Sequence, residues 1–145
     1  MIEIKVKKLT NTAIIPNRET IGSAGADLSA DINEPVIIHP HTTVKIPTGL
    51  AMELPEGMYG AIVARSGLAT KEGLRPANCY GVCDTDYRGG YVVALHNDSE
   101  ETRIVNQGQR IAQLIIHSYV PAEYVEVNEL SQTKRGSNGF GSTGK

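Results

Sequence analysis

Residues 36–54 read VIIHPHTTVKIPTGLAMEL, and this stretch decides the class of fold. Three short apolar runs, Val36–Ile38, Val44–Pro47 and Leu50–Leu54, are separated by a polar segment with a proline and by Thr48 and Gly49. β-Branched residues favour strands, whereas proline and glycine are common in tight turns. The stretch therefore predicts three short strands joined by turns, with no helix between them.

The same pattern continues along the chain in both directions. Strong helical periodicity is absent, and the one short helix predicted is Ser66–Glu72, with Ser66 as its N-cap and Gly73 as its end. Many short strands at regular spacing predict an all-β fold, a jelly-roll-like sandwich or barrel. The other predicted strands are Ile2–Val6, Ala26–Ala30, Gly60–Ala64, Tyr91–Leu95, Thr102–Val105, Arg110–His117 and Tyr124–Val127.

Length and composition predict one β domain followed by a short arm. The chain has 145 residues, and its composition changes after Ser131 to Gly, Ser, Thr, Asn, Lys and Arg. We therefore assign residues 1–131 to the domain and residues 132–145 to a flexible, glycine-rich C-terminal arm. Phe140, the only phenylalanine, lies in this arm. A large apolar residue there needs a surface on which to dock.

Charge and sequence patterns exclude several classes of protein. The net charge is −2 and no basic run is present, so neither nucleic acid nor membrane is expected as a partner. The N-terminus alternates apolar and charged residues, which is not the pattern of a signal peptide, and no apolar run approaches membrane-spanning length. Cys79 and Cys83 have C-x3-C spacing, neither a redox nor a zinc motif. Two reduced thiols in a cytoplasmic protein are expected.

Two segments carry candidate anion or metal chemistry. In IGSAGADLSA, residues 21–30, Asp27 follows two glycines, and it is either a turn residue or a ligand of Mg2+. In ARSG, residues 64–67, a predicted strand runs into Arg65, Ser66 and Gly67. A guanidinium, a hydroxyl and an accessible backbone N–H together suit a phosphate. The alternative is an arginine on a loop beside a capped turn.

Residues 77–93, ANCYGVCDTDYRGGYVV, predict a strand, a tight polar turn and a second strand. Asp84 and Asp86 would share one face of an extended chain, either as a solvated hairpin tip or with Asp84 as a general base made more basic by partial burial. The pattern also suggests the DxD nucleophile of aspartyl-phosphate phosphatases. Arg88 stands where that family has Thr or Val, and the chain is not helical.

Two further segments contain polar residues in positions that need explanation. Gln113 lies between apolar residues of a predicted strand, so its amide is either satisfied within the core or contacts a ligand. From Gly139 to Lys145 the chain spells G-x-x-x-x-G-K, most of a P-loop. A P-loop needs a preceding strand, a following Ser or Thr and a helix, and this context is missing. The composition still suits a triphosphate.

Taken in order, these five segments resemble the motifs of the deoxyuridine triphosphate nucleotidohydrolase (dUTPase) family, from about Gly22 to Gly144. ARSGLA and RGSNGFGSTG are the most specific of them. The resemblance implies a jelly-roll-like homotrimer with active sites at subunit interfaces. Each site would use Mg2+ to hydrolyse dUTP to dUMP and pyrophosphate, which keeps uracil out of DNA and supplies dUMP for thymidylate synthesis.

The resemblance also implies a role for each site residue. Asp84 would be the catalytic base that activates water, with Asp86 in support. Asn78 would read uracil and Tyr87 would lie under the deoxyribose, excluding a 2′-hydroxyl. Asp27 would face Mg2+ through a water, the ion being held mainly by the triphosphate. Phe140 would stack on uracil, and the phosphate contacts would be Arg65, Ser66, Gly67, Gln113, Arg135, Gly141, Ser142 and Thr143.

Departures from the family pattern and competing functions stay open at this stage. Asn138 replaces a usual glycine in the arm, at an energetic cost if its φ is positive. The related dCTP deaminases act on the base, whereas DTDY at residues 84–87 offers a carboxylate for attack at phosphorus. A non-enzymatic β-sandwich binding module is the other alternative, and the presence of Asp84 and Tyr87 argues against it.

Overall fold

The structure, a computed structural model, describes residues 2–139. Nearly all regular structure in this range is β-strand. The strands are β1 Lys5–Lys8, β2 Gly25–Ser29, β3 Val36–Ile38, β4 Thr43–Pro47, β5 Leu50–Glu53, β6 Met58–Val63, β7 Leu74–Pro76, β8 Gly81–Cys83, β9 Val92–Asn97, β10 Arg103–Val105 and β11 Arg110–Ser118.

The strands form two larger sheets and two strand pairs, with antiparallel pairing throughout. The four-stranded sheet has the order β2-β11-β6-β8 and the three-stranded sheet the order β4-β9-β7. β1 pairs with β5 and β3 with β10. Buried residues of both larger sheets, such as Ile62, Leu114, Ile46 and Leu95, belong to one hydrophobic cluster. The predicted all-β, jelly-roll-like sandwich is confirmed.

Most predicted strands are present. Those between residues 26 and 117 all form, with ends that differ by at most two residues, whereas the first strand begins three residues later than predicted. The strand predicted at Tyr124–Val127 is wrong, because these residues are irregular and exposed and pair with no strand among residues 2–139. β7 was not among the predicted strands; it is only three residues long and ends at Pro76, which lacks an N–H.

The strand–turn–strand unit predicted for residues 77–93 is not a hairpin. β8 pairs with β6 in the four-stranded sheet, whereas β9 pairs with β4 and β7 in the other. The segment therefore crosses from one sheet to the next. Asp84 and Tyr87 therefore lie in a loop that connects the two sheets and not in the turn of a β-hairpin.

The predicted short helix is a single π-helical turn, Leu68–Glu72. The residue before it is Gly67, which has no side chain to cap it, so the prediction of Ser66 as N-cap is wrong. Gly73 ends the turn as predicted, with a φ of 71° in the left-handed region that favours glycine. None of the helical structure among residues 2–139 is long and apolar enough to cross a membrane.

Candidate active site

A cavity of about 250 Å³ opens where the chain crosses between the sheets. Three of the predicted site residues, Asn78, Asp84 and Tyr87, line it together. They come from the turn after β7, the end of β8 and the loop before β9. The other lining residues are Ile62, Gly81, Val82, Cys83, Gly90, Tyr91 and Val92.

Asp84 stands at the first position of a β-turn at the mouth of this cavity. The N–H of Tyr87 donates to the Asp84 carbonyl over 3.2 Å, and the Thr85 hydroxyl donates to the carbonyl of Met58 in β6. Asp84 and Asp86 therefore lie in a turn and not on one face of an extended strand, so that prediction is wrong. Asp84 is exposed in the single chain. The partial burial expected for it is therefore not found in this chain.

Asn78 is held against the backbone of Gly81. A Cβ added at Gly81 would lie 3.2 Å from Nδ2 of Asn78, so the bare glycine lets the amide approach the start of β8. Between them, Cys79 has a φ of 60°, which closes the turn tightly. The turn therefore presents an amide, with both donor and acceptor atoms, to the cavity.

The inner wall of the cavity stays uncharged at neutral pH. Burial raises the pKa of the Cys83 thiol and, more strongly, that of Tyr91, whose side chain is 2% exposed. The buried Tyr91 hydroxyl forms no hydrogen bond of ordinary geometry within residues 2–139, although it lies close enough to Cys83 for each group to influence the pKa of the other. Cys79 and Cys83 are both free thiols, as predicted.

A second cluster of polar side chains gathers around Asp27 on the same sheet. Arg65 donates from Nε to Asp27 Oδ1 over 2.9 Å, and Arg110 donates from Nη1 to Oδ2 over 3.0 Å. Gln113 donates from Nε2 to Oδ1 over 3.4 Å. The Gln113 side chain lies over Gly25, where an added Cβ would be in ordinary contact with it at 3.4 to 3.6 Å. Three predicted phosphate or metal residues are thus brought together.

Sequence reasoning missed Arg110. Residues three apart on a regular strand point to opposite faces, so the strand pattern alone does not bring Arg110 and Gln113 to one carboxylate. The pairing of β11 with β2 shifts between Arg110 and Ala112. This bulge adds a residue to one strand and turns both side chains toward Asp27. A bulge of this kind leaves no clear sequence signal.

Ser66 and Gly67 follow Arg65 at the start of the π-helical turn, and both are exposed. A Cβ at Gly67 would have no neighbour within 4 Å, so its backbone is open to a ligand. The hydroxyl and the backbone therefore extend the surface that begins with the Arg65 guanidinium.

The cavity and the Asp27 cluster lie apart on one chain. On β6, Gly60 pairs with Cys83 of β8, whereas Val63 pairs with Gln113 of β11. Cys83 and Gln113 are therefore offset by three residues along the strand direction and by two strand spacings across the sheet. Together these offsets separate their Cα atoms by about 14 Å. Asp84 continues from Cys83 away from the cluster. The two groups of predicted site residues are therefore separate on this chain.

The arm is only partly within the described residues. From 119 to 139 the chain is exposed and has no strand, and Arg135 donates from Nε to the carbonyl of Asn138 over 2.9 Å. The φ of Asn138 is not positive, so this replacement of glycine carries no left-handed strain. Phe140, Gly141, Ser142 and Thr143 lie outside the described residues.

Comparison with known proteins identifies the family. An all-β chain with a cavity lined by an amide, a carboxylate and an aromatic ring, and with a separate cation cluster, fits a nucleotide-binding class of protein. The family model described as dUTPase matches residues 11–144. The chain belongs to the dUTPase family. The predicted resemblance, and with it the predicted enzyme class, is confirmed.

Individual relatives agree with this assignment. A deoxyuridine 5′-triphosphate nucleotidohydrolase of Desulfitobacterium hafniense (strain DSM 10664 / DCB-2) is 48% identical over 90% of this chain and 87% of its own. One of Nautilia profundicola is 46% identical over 99% of this chain and 100% of its own. The solved Staphylococcus bacteriophage 80alpha dUTPase with dUPNHPP is 29% identical, covers 99% of both chains and has a TM-score of 0.85.

Proposed function

We propose that this protein hydrolyses dUTP to dUMP and pyrophosphate at a site built from the cavity of one subunit and the Asp27 cluster of another. The observation that carries the proposal is the grouping of Asn78, Asp84 and Tyr87 around one cavity of about 250 Å³. Membership of the dUTPase family supports the substrate, and the free thiols suit a cytoplasmic enzyme.

The cavity supplies the groups that recognise deoxyuridine. The Asn78 amide both donates and accepts, as the edge of uracil does, and Tyr87 offers a ring on which the deoxyribose rests. A 2′-hydroxyl would need the space that this ring fills. Because an apolar pocket alone rejects an added hydroxyl only about 100-fold, overlap with a fixed ring is the stronger means of selection.

Asp84 is the proposed general base. Its carboxylate takes a proton from a water molecule as the water oxygen bonds to the α-phosphorus. The bond from that phosphorus to the bridging oxygen breaks, and pyrophosphate leaves with the electron pair. Such a transfer depends on alignment of the nucleophile and stabilisation of charge. The turn that fixes Asp84 relative to Tyr87 supplies the alignment on the sugar side.

The proposed phosphate-binding surface consists of Arg65, Ser66, Gly67, Arg110 and Gln113. Two guanidiniums offset the negative charge of a triphosphate, and planar forks suit phosphate oxygens. Arg135, with Phe140, Gly141, Ser142 and Thr143, is proposed to close over the substrate from the arm. Closure would exclude bulk water and keep the nucleophilic one.

Mg2+ is the proposed cofactor, held mainly by the triphosphate. Among the described residues no group of three or more His, Cys, Asp or Glu side chains is placed to form a metal site. Asp27 already accepts from Arg65, Arg110 and Gln113, which leaves acceptor capacity for a water-mediated contact and not for a full coordination sphere. When bound, the ion would neutralise charge on the phosphates.

A homotrimer is proposed because each chain exposes two incomplete halves and a large apolar surface. The outward face of the four-stranded sheet lies between the two half-sites and carries exposed Val82, and Tyr80, just before β8, is exposed as well. Residues after β11 expose many more large apolar side chains. They include Tyr119, Val120, Tyr124, Val125, Val127 and Leu130. Exposed apolar area on this scale indicates an interface.

Pyrophosphate release tests the reaction. With Mg2+, we expect release from dUTP to be at least 100-fold faster than from UTP, dCTP or dTTP. Ammonia release from dCTP would assign the deaminase chemistry instead. No turnover of any of these nucleotides would overturn the proposed function.

Mixed trimers test the shared site. Asp84→Asn disables the cavity half and Arg65→Ala the phosphate half, so each homotrimer should be inactive. Trimers refolded from both chains should recover activity, since some sites receive an intact half from each chain. Mixing Asp84→Asn with Asn78→Ala is the matched control. Both changes lie in the cavity half, so every site in this mixture has a changed cavity and no activity should return. If the two mixtures behave alike, the halves do not come from different subunits.

A further inference from the structure

The loop between β8 and β9 fixes the position of Tyr87 by contacts within the loop itself. The Tyr87 N–H bonds to Asp84, and Arg88 donates from Nη1 to the carbonyls of Thr85 at 2.6 Å and of Tyr87 at 3.2 Å. The guanidinium thus bridges two carbonyls of the Asp84–Tyr87 turn. The backbone on both sides of the Tyr87 side chain is therefore held.

The ring of Tyr87 is held at its far end and along one side. Its hydroxyl donates to the carbonyl of Gly90 over 3.1 Å. Its centroid lies 6.0 Å from that of Tyr91, with the two planes inclined at 35°. Tyr91 is a core residue that is 2% exposed, so it forms a fixed wall, whereas Tyr87 is 45% exposed and faces the cavity.

Gly89 provides the space in which this ring lies. A Cβ at residue 89 would overlap the Tyr87 hydroxyl and stand 2.6 Å from Cζ and 2.9 Å from Cε2. The φ of Gly89 is not positive, so its backbone conformation does not itself require glycine. The requirement is for space beside the ring. At the adjacent Gly90, a Cβ would meet only the end of the flexible Leu9 side chain, at 3.1 Å.

We propose that Gly89 is a specificity-determining residue that acts through Tyr87. By leaving the slot for the ring, it places the Tyr87 face where a ribose 2′-hydroxyl would collide and a deoxyribose would not. This inference rests on the proposed function, because it assigns the origin of sugar selectivity at that same site. A displaced ring would open the space next to C2′ and reduce the steric rejection of UTP.

The ratio of kcat/KM for dUTP to that for UTP is the measurement that tests this role. Gly89→Ala should lower the ratio at least tenfold, because the new methyl group displaces the ring. Gly22→Ala is the matched control, since its Cβ would have a single neighbour at 4.0 Å, Thr20 Oγ1, and it should leave the ratio unchanged. A Gly89→Ala protein that keeps the wild-type ratio would overturn the proposal.

A double-variant cycle separates this role from a general effect on the loop. In a Tyr87→Ala background the ring is gone, so adding Gly89→Ala should change neither the ratio nor the melting temperature further. If Gly89→Ala by itself is too unstable to assay, the proposal requires that stability return to that of Tyr87→Ala in the double variant. If Gly89→Ala lowers the melting temperature equally in the wild-type and in the Tyr87→Ala protein, the substitution acts on the loop backbone and not through the ring. That result would overturn the proposal.

Assays of the wild-type protein distinguish failure of the proposed function from failure of the Gly89 proposal. Absence of dUTP hydrolysis by the wild type would overturn the proposed function and this inference with it. Strong preference of the wild type for dUTP, together with an unchanged ratio in Gly89→Ala, would overturn this inference alone.

Discussion

Arg65 donates from Nε to Oδ1 of Asp27 over 2.9 Å, which joins the loop after β6 to the middle of β2. Both side chains are largely sheltered, with 25% and 17% of their surfaces exposed. Arg110 takes the second oxygen of the same carboxylate. A single acid therefore orients two cations, and these are the cations proposed to bind the triphosphate.

Asp27→Asn should weaken substrate binding more than chemistry. The amide retains the shape but loses the charge that holds both guanidiniums, and a hydrogen bond between charged groups contributes about 1.5–3 kcal/mol. We expect kcat/KM for dUTP to fall roughly 10- to 100-fold, mainly through KM. Initial rates over a range of dUTP concentrations measure this.

Glu53→Gln is a suitable control for Asp27→Asn. It breaks the ion pair of Lys5 and Glu53, whose side chains are 71% and 46% exposed and lie on β1 and β5, a strand pair separate from the sheet that carries Asp27. Exposed pairs contribute little, so the rates should stay at the wild-type level. Unchanged kinetics in Asp27→Asn would show that Asp27 does not position the phosphate-binding cations.

Asp84→Asn should abolish turnover while dUTP still binds. The substitution removes the proton acceptor and keeps the size of the side chain, and a general base contributes about 10²- to 10⁴-fold to the rate. Calorimetric titration with a non-hydrolysable dUTP analogue and single-turnover rates measure the two effects separately. Asp86→Asn, two residues further along the same turn, should reduce kcat much less. Near-normal kcat in Asp84→Asn would mean that another group is the base.

Removal of residues 132–145 should leave a folded trimer with little activity. Residues 119–139 are exposed and form no strand, so the core loses few contacts and the melting temperature should change by only a few degrees. The rate should fall at least ~100-fold, since phosphate-clamping groups of the arm are lost. Light scattering, thermal denaturation and pyrophosphate release measure these outcomes. Unfolding of the shortened chain would instead give the arm a structural role.

Asp31 should make stability depend on pH in the acid range. Burial by itself raises the pKa of Asp31, but hydrogen bonds from Thr10, Thr12 and Gln107 together outweigh it and hold that pKa below its ordinary value of 3.8. The contribution of Asp31 is therefore complete above the unfolded pKa of about 3.9 and is lost as pH falls through the folded pKa.

Urea unfolding of Asp31→Asn at two pH values tests this assignment. At pH 6 the variant should be about 1–3 kcal/mol less stable than the wild type, because the Thr10, Thr12 and Gln107 donors lose a charged, buried acceptor. At pH 3 the difference should shrink. Glu34→Gln, a change at an exposed acid, should have little effect at either pH. A constant difference across this range would show that the Asp31 charge does not stabilise the fold.

Much of the fold followed from local patterns. The runs at Val36–Ile38, Val44–Pro47 and Leu50–Leu54 became β3, β4 and β5 almost as predicted, because alternation and turn residues act over a few positions. The cavity residues Asn78, Asp84 and Tyr87 were also found, since they lie within ten positions of one another along the chain. A segment of that length brings its own side chains near each other in many folds.

The sequence by itself determined the strands, their order along the chain and the residue types available for phosphate chemistry. Only the tertiary structure decided that β8 and β9 belong to different sheets, that the bulge in β11 turns Arg110 toward Asp27, and that Gly89 leaves space for Tyr87. Strand formation depends on neighbours in sequence. These other features depend on pairing register and packing between residues far apart or folded back on one another, which no local pattern encodes.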